Sequence, residues 1–275
     1  MNLNIIINSI AMKKTFQFPF ILFFIFTISF GQSKNELVFE ILQKNNFIDV
    51  FIKSFNKIEN TYNWHKLKNK NKLITIYDNF FTSSKIYDAK FNYFKDKLNV
   101  KFAKKSLKWF ETPVGKILLA IDYDIIKNTM MHQTYFGNSS NDKKKNSGRL
   151  FSYIKKINEC ANISKTLYKI YKSYLKNLFY ILNENLPTKS KESKNDLLKQ
   201  IKQFENNGLK NINFFVNSSL HLLLKDLMYA DLQKIVNFYL SPAGKWLTKT
   251  ANNFLIKYYT NTFKEIKITF ENSKF

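Results

Sequence analysis

The sequence contains few of the residues that interrupt helices. Its 275 residues include 6 Gly and 4 Pro, so we expect few turns and long uninterrupted elements. Hydrophobic residues make up 45% of the chain and aromatic residues 17%, which is enough to bury a sizeable core and excludes a disordered chain. This composition predicts an all-α protein, a helical bundle, rather than an architecture of many strands.

The side chains that usually carry chemistry are also scarce. Cys160 is the single cysteine, which excludes an internal disulfide; we expect a buried, unreactive thiol, with intermolecular pairing as the alternative. His65, His132 and His221 are far apart in sequence and lack the spacing of metal ligands. No Gly-x-Ser-x-Gly nucleophile motif occurs. The sequence therefore predicts no catalytic residue, no metal site and no cofactor, although an acid/base pair assembled by folding stays open.

Arginine is nearly absent from a strongly basic chain. Of the 44 basic residues only Arg149 is arginine, and the formal net charge is +24. Recognition of nucleic acids favours arginine, because its planar guanidinium binds two phosphate oxygens or a guanine edge at once. The lysines accompany abundant Asn, Ile, Phe and Tyr, a mixture that an AT-rich genome produces. We expect no specific nucleic-acid binding, while attraction to anionic lipid, lipopolysaccharide or an acidic protein stays open.

The N-terminal residues have the pattern of a signal peptide. Lys13 and Lys14 follow Met12, the alternative initiator, and precede an apolar run over residues 16–30. A basic segment followed by an apolar segment of this length is typical of export signals. The run is short for a transmembrane span and contains Pro19. We therefore predict a signal peptide over residues 1–31.

The end of this segment offers a cleavage site. Ser29 and Gly31 form the small-x-small pattern that a signal peptidase requires, so cleavage is expected between Gly31 and Gln32. Because Gln32 and not cysteine follows the cleavage point, no lipid anchor is predicted. We expect a periplasmic or secreted protein whose mature chain has no transmembrane helix.

Polar segments divide the mature chain. Residues 137–148 have the composition of a solvated linker between a first helical half, 32–136, and a second, 149–275. A second polar break covers residues 186–195. Between the two breaks, apolar residues recur at helical spacings of three and four: Leu167, Ile170, Tyr171, Tyr174, Leu178 and Ile181.

An internal repeat relates the two halves. Residues 107–118 align with residues 236–247 at a constant offset of 129, with four identities and five chemically similar pairs in twelve positions. Residues 37–42 and 150–155 show a weaker similarity at offset 113. In the second copy, four residues at helical spacing form a stripe on one face: Leu232, Ile235, Val236 and Tyr239. The alignment predicts the same stripe in the first copy, at Ala103, Ser106, Leu107 and Phe110.

The repeated segment predicts a tight corner between two helices. Thr112 and Ser241 are placed to cap the second helix of each corner. Pro113 and Pro242 then occupy the first helical position, where the missing N–H costs nothing. A helix–corner–helix joint is therefore expected twice in the chain.

The other residues of the motif divide between packing and surface. Gly115 and Gly244 lower helix propensity by about 1 kcal/mol relative to Ala, which indicates that a neighbouring helix approaches closely there. Lys116 and Lys245 are expected to be solvated, or else to direct an anion to the N-terminus of a helix. Aromatic pairs precede each corner and are expected to anchor it in the core: Trp109-Phe110 and Phe238-Tyr239.

The second copy of the motif resembles a known family. Residues 238–245, Phe-Tyr-Leu-Ser-Pro-Ala-Gly-Lys, are similar to the aromatic pair and Ser-Pro-x-Gly-Lys motif of the bacterial domain-of-unknown-function family 2059. The first copy departs from that motif at Trp109 and Thr112. The resemblance covers about 50 residues around each copy, and it implies an all-helical exported domain without an assigned chemistry.

Two functional hypotheses follow from the sequence. The first is a non-enzymatic helical envelope protein that binds a protein partner or an anionic envelope surface, and it depends on the net charge and the export signal. The alternative is a carrier that holds an apolar small molecule or lipid in an aromatic-rich cavity. This hypothesis is based on the 28 Phe and 15 Tyr of the sequence.

Overall fold

The computed structural model describes residues 32–44, 68, 70–120 and 148–273. Within these ranges the chain is helical and contains no β-strand, which confirms the predicted all-α class. The expected signal peptide, residues 137–147 of the expected linker, His65 and His132 lie outside the described residues.

The helices follow one another with short connections. A 3-10 turn at Thr188–Ser190 lies within the second polar break. In chain order the α-helices are α1 (Lys34–Lys44), α2 (Lys70–Phe80), α3 (Ser83–Asp96), α4 (Val100–Phe110), α5 (Pro113–Leu119), α6 (Gly148–Ala161), α7 (Ile163–Glu184), α8 (Lys194–Leu224), α9 (Tyr229–Leu240) and α10 (Pro242–Asn272).

Local capping signals fix where several helices begin. Before α1, the N–H of Ser33 donates to the Glu36 carboxylate at 2.8 Å, and the N–H of Glu36 donates to the Ser33 hydroxyl at 3.2 Å. This reciprocal pair is a capping box, which satisfies two N–H groups that the helix leaves free. Asn99 caps α4 through its side-chain oxygen, which accepts from the N–H of Phe102 at 3.0 Å.

The C-terminal helix α10 forms the centre of the bundle. Its 31 residues correspond to a length of about 46 Å. Around it pack α2, α3, α4, α6, α7 and α9. Side chains along its whole length are buried in the core: Leu247, Leu255, Phe263, Ile266 and Phe270. No described helix is long and apolar enough to cross a membrane.

Helices on the two sides of the expected linker have corresponding neighbours. Before the linker, α1 packs against α3 and α4, and after it α6 packs against α8 and α9. Contacts between the two sides also correspond, since α4 contacts α10 and α9 contacts α5. The aligned pairs Leu37 with Leu150 and Ile41 with Ile154 are buried. Side chains from both predicted halves contribute to one continuous core. Superposition of the complete halves stays a prediction.

A buried polar network holds the turn between α6 and α7. Asn162 adopts a left-handed conformation, with φ of 53°, which Asn tolerates better than most residues. Beside it, Asn158 accepts from the N–H and hydroxyl of Ser164 at 3.0 and 2.9 Å. The Asn158 amide also donates to Asn217 at 2.8 Å and Asn213 at 3.3 Å. These hydrogen bonds join α6, α7 and α8 and fix the start of α7.

Candidate functional site

The two corners have closely similar geometry. The backbone angles φ and ψ are −65° and 155° at Thr112, and −66° and 157° at Ser241. Each hydroxyl oxygen accepts at 3.1 Å from the N–H of the glycine three residues later, Gly115 or Gly244. The following helix begins in each case with a proline. Short-range chemistry therefore produces the same joint at two places in the chain.

The capping hydroxyls also reach back to the preceding helices. Thr112 donates to the carbonyl oxygen of Trp109, and Ser241 donates to that of Phe238, both at 2.7 Å. Because one hydroxyl donates to the end of one helix and accepts from the start of the next, it links the two helices. The hydroxyl of Thr112 or Ser241 thereby connects the two helices of its corner.

We expect Ser241→Ala to lower the free energy of unfolding by about 1 kcal/mol, the usual cost of removing an N-cap. Urea denaturation followed by circular dichroism measures this change. Ser241→Thr is the matched control, since Thr112 forms the same hydrogen bonds at the first corner, and it should be nearly neutral. Equal stability of the Ala and Thr variants would contradict a structural role of the hydroxyl.

Both corner glycines are buried against the preceding helix. A Cβ atom at Gly115 or Gly244 would overlap the carbonyl oxygen six residues earlier. It would also lie 2.7 Å from the Cα of Phe110 or 2.9 Å from the Cα of Tyr239. These are backbone atoms that cannot rotate away. The close approach therefore involves the helix that directly precedes each glycine.

The two corners also contact each other through their aromatic residues. The Trp109 and Phe238 rings stack with centroids 3.9 Å apart and planes inclined by 10°, and Phe110 meets Phe238 edge-on at 5.8 Å. Trp109 and Phe238 are aligned positions of the predicted repeat, so the two copies of the motif contact each other in the structure. Tyr239 is buried beside them, and burial raises its pKa far above the usual range.

The two motif lysines lie in different environments. Both Lys116 and Lys245 are exposed. Lys116 lies near Glu111, whose pKa is held below its usual value mainly by a 2.9 Å hydrogen bond and ion pair with Lys44. Lys245 instead lines a cleft between α7 and α10. The structure therefore joins only one of the two motif lysines to a candidate site.

This cleft, which we call the lysine cleft, has a volume of about 410 Å³. It is lined by Lys165 and Lys169 of α7 and by Lys245 and Lys249 of α10, and no acidic residue is among its described lining residues. Residues four apart share one face of a helix, so each helix presents its pair to the same space. None of the four lysines forms an ion pair within the described ranges.

The start of α7 adds to the positive potential of the lysine cleft. Asn162, a lining residue, provides no side-chain cap to this helix, although Asn158 accepts from the N–H of Ser164 in its first turn. The N-terminus of a helix carries a partial positive charge because its first N–H groups lack partners within the helix.

Four ammonium groups and one helix terminus thus surround a cleft whose described lining holds no acidic residue. The carboxylate of Glu159 is nearby, since it acts electrostatically on Cys160 and lines the neighbouring cleft together with Lys165. A bound anion would stabilise the excess of positive charge.

Asn252 is the most distinctive polar residue of the lysine cleft. It is 5% exposed, and its amide nitrogen donates to the carbonyl oxygen of Ala161 at 3.0 Å. Its side-chain oxygen has no hydrogen-bond partner among the described residues. Thr166 and Thr248 also line the cleft and are buried. These polar side chains are therefore buried at the cleft, and the unpartnered oxygen of Asn252 has less than 1 Å² of accessible surface.

Cys160 lies at the edge of the same cleft. The sequence predicts a buried thiol, but the side chain is only partly buried, because it stands at the last turn of α6 where the cleft opens. Desolvation raises the pKa of this thiol. It is therefore the neutral thiol and not a reactive thiolate at neutral pH.

Two further clefts lined by described residues carry charges of both signs. One, of about 490 Å³, lies between α3 and α10 and contains Lys85 and Lys257 together with Asp96 and Glu265. The other, of about 430 Å³, contains Lys155, Lys165 and Glu159. The lysine cleft differs from both because all of its charged lining residues are basic.

Most residues of the lysine cleft could not be predicted from the sequence. Lys165, Lys169, Lys249 and Asn252 carry no local motif. The available signal was two Lys-x-x-x-Lys pairs without an acidic partner, which is weak in a chain with 44 basic residues. The helices that contribute the pairs are far apart in sequence, so their convergence depends on tertiary packing.

Neither metal-ligand clusters among the described residues nor similarity to known proteins indicates a function. Among the described residues, no three His, Cys, Asp or Glu side chains come together as metal ligands would. No family model, curated protein or solved structure matches the chain, so the resemblance to family 2059 stays a prediction.

Proposed function

We propose that the protein is a non-enzymatic, exported envelope protein that binds an anionic envelope surface through the lysine cleft. The supporting observation is the convergence of Lys165, Lys169, Lys245 and Lys249 on one cleft whose described lining holds no acidic residue. Export and envelope location rest on the signal-peptide pattern of residues 1–31. An acidic protein surface would offer the same charges and is the alternative partner.

The expected strength of such binding follows from the charges. A basic residue near an anionic membrane contributes about 1 kcal/mol, so four lysines contribute about 4 kcal/mol in total. This corresponds to roughly a thousandfold in affinity, because each 1.4 kcal/mol is about tenfold. Lysine suits this role, since its ammonium is a compact charge with three donors that accommodates oxyanions without a fixed planar geometry.

The proposal predicts salt-sensitive binding to anionic vesicles. We expect the purified protein to co-sediment with phosphatidylglycerol-containing vesicles at low ionic strength and to dissociate largely at physiological salt. The reason is that the screening length falls from about 30 Å at 0.01 M to about 8 Å at 0.15 M salt. Phosphatidylcholine vesicles are the control and should not bind. Equal binding to both lipids, or no binding at low salt, would contradict the proposal.

A second candidate function is supported by the cleft between α3 and α10. Phe80, Tyr93, Phe254 and Tyr258 line it, and this aromatic wall favours the carrier of an apolar small molecule or lipid. Native mass spectrometry of the protein purified from its source distinguishes the candidates. A retained apolar molecule, displaced by bulky substitution of Phe254, would support the carrier. Ligand-free protein that binds anionic vesicles would support the surface-binding protein.

A further inference from the structure

We propose that the cleft where α6, α7 and α8 meet binds the hydroxyl groups of a saccharide, whose anionic group occupies the adjoining lysine cleft. The inference rests on the proposed function and narrows its ligand to an anionic saccharide. This second cleft, which we call the asparagine cleft, has a volume of about 430 Å³, and small-molecule sites occupy about 300–1,000 Å³. Four asparagines line it: Asn158, Asn162, Asn213 and Asn217.

Three of these asparagine side chains have a fixed orientation. The backbone N–H of Ser164 can only donate, and it donates to the side-chain oxygen of Asn158 at 3.0 Å. The amide nitrogen of Asn158 therefore faces α8, where it donates to the side-chain oxygens of Asn217 at 2.8 Å and Asn213 at 3.3 Å. Turning over any of the three amides would set two donors or two acceptors against each other. The free group of Asn213 and of Asn217 is thus the amide nitrogen.

Both of these amide nitrogens are accessible to a ligand. Asn213 and Asn217 are half-buried, and within the described residues their nitrogens donate no hydrogen bond. Buried polar side-chain atoms without a partner occur elsewhere in the described chain, at Ser106, Ser219 and Asn252. The two nitrogens are therefore unpaired but not buried. Because Asn213 and Asn217 are four residues apart, they share one face of α8 and their donors serve the same ligand.

The lining of the asparagine cleft suits a ligand that both donates and accepts hydrogen bonds. All of its described lining residues are Asn, Ser, Lys or Glu, which disfavours an apolar ligand. The amide nitrogens and the ammonium groups of Lys155 and Lys165 donate, whereas the carboxylate of Glu159 accepts. Lys155 and Glu159 are 3.9 Å apart on exposed side chains, so their ion pair is weak. A hydroxyl group donates and accepts, and a saccharide therefore satisfies both kinds of group.

The asparagine cleft adjoins the lysine cleft at the start of α7. Asn162 and Lys165 line both clefts, so a single ligand reaches both. The charges divide that ligand into two parts. The lysine cleft holds four lysines and no acidic residue in its described lining, whereas Glu159 in the asparagine cleft disfavours an anion there. The anionic group is thus assigned to the lysine cleft and the hydroxyl groups to the asparagine cleft.

The experiment compares glucose 1-phosphate with methyl phosphate by isothermal titration calorimetry on the whole protein, at neutral pH and low salt. The two anions carry the same charge, and the sugar hydroxyls are the difference between them. We expect glucose 1-phosphate to bind about tenfold more tightly, the net effect of two hydrogen bonds. Equal affinity for the two anions, together with salt-sensitive binding to phosphatidylglycerol vesicles, would overturn the inference and leave the proposed function standing. Absence of binding to both anions and to anionic vesicles would overturn both.

The variant Asn213→Asp/Asn217→Asp tests the two amide nitrogens directly. Aspartate keeps an acceptor oxygen for Asn158 but lacks the N–H donors, so the variant should lose the preference for glucose 1-phosphate. The matched control is Asn207→Asp/Asn211→Asp, since both residues are exposed on the same helix at the same spacing. It adds the same charge and should retain the preference. Loss of the preference in both variants would overturn the assignment to the asparagine cleft. The preference of the unmodified protein tests the inference even where a variant fails to fold.

Vesicles identify the source of the saccharide. The comparison is between phosphatidylcholine vesicles that contain lipid A, a phosphorylated glucosamine lipid, and vesicles of equal charge that contain phosphatidylglycerol. Stronger binding to the lipid A vesicles would support a glycolipid headgroup as the ligand. Selective binding of glucose 1-phosphate without any vesicle binding would support a soluble sugar phosphate, and it would overturn the surface proposal while upholding the saccharide site.

Discussion

Gly244→Leu is expected to lower the free energy of unfolding by about 1–3 kcal/mol through overpacking of the second corner. A Cβ at this position would overlap the carbonyl oxygen of Phe238 and approach its carbonyl carbon to 2.7 Å. A loss of stability is informative because helix propensity alone predicts a gain: Leu in place of Gly favours the helix by several tenths of a kcal/mol. Urea denaturation followed by circular dichroism measures the change.

The matched control for this substitution is Gly148→Leu. Gly148 begins α6, and a Cβ there would meet no atom within 4 Å, so this variant should be neutral or slightly stabilised. If Gly244→Leu were also neutral, the close approach at the corner would be refuted. The segment around Lys245 would then be better explained as a binding surface.

Phe238→Ala is expected to cost about 3–5 kcal/mol, the usual loss for a buried aromatic residue. The Phe238 side chain is 6% exposed, and its ring contacts those of Trp109, Phe110 and Tyr239. Its removal therefore leaves a cavity where the two corners meet. Thermal and urea denaturation should both show the loss.

An exposed phenylalanine provides the control for that loss. Phe214 on α8 is 71% exposed, so Phe214→Ala should change stability by less than about 0.5 kcal/mol. A double-mutant cycle with Trp109→Ala should give a coupling of about 0.5–1.5 kcal/mol for the stacked pair. Equal costs for Phe238→Ala and Phe214→Ala, or no coupling to Trp109, would show that the corners do not support each other.

Local features made the fold class and the corner chemistry accessible from sequence. Scarce Gly and Pro predicted helices, and the predicted stripe Ala103, Ser106, Leu107 and Phe110 is buried. Caps such as Thr112 act within a few residues. Their chemistry is therefore contained in short segments.

Contacts between distant segments were not accessible in the same way. The repeat predicted that Trp109 and Phe238 have similar roles, but similarity between two segments carries no information about whether they touch. Lys165 and Lys249 likewise line one cleft only because α7 packs along α10. The partial exposure of Cys160 depends on the same packing, since the cleft between these helices opens beside it.

Removing the four lysines of the cleft tests whether the cleft, rather than the total charge, binds the anionic surface. The variant Lys165→Gln/Lys169→Gln/Lys245→Gln/Lys249→Gln lowers the formal charge from +24 to 24 − 4 = +20. The control replaces four exposed lysines of α4 and has the same charge of 24 − 4 = +20: Lys101→Gln, Lys104→Gln, Lys105→Gln and Lys108→Gln.

Affinity for phosphatidylglycerol vesicles at low salt is compared among the three proteins. The cleft variant should lose roughly a thousandfold in affinity, from about 1 kcal/mol per lysine, while the α4 control retains most of its binding. Equal losses in the two variants would show that net charge alone drives association and would contradict binding at the lysine cleft.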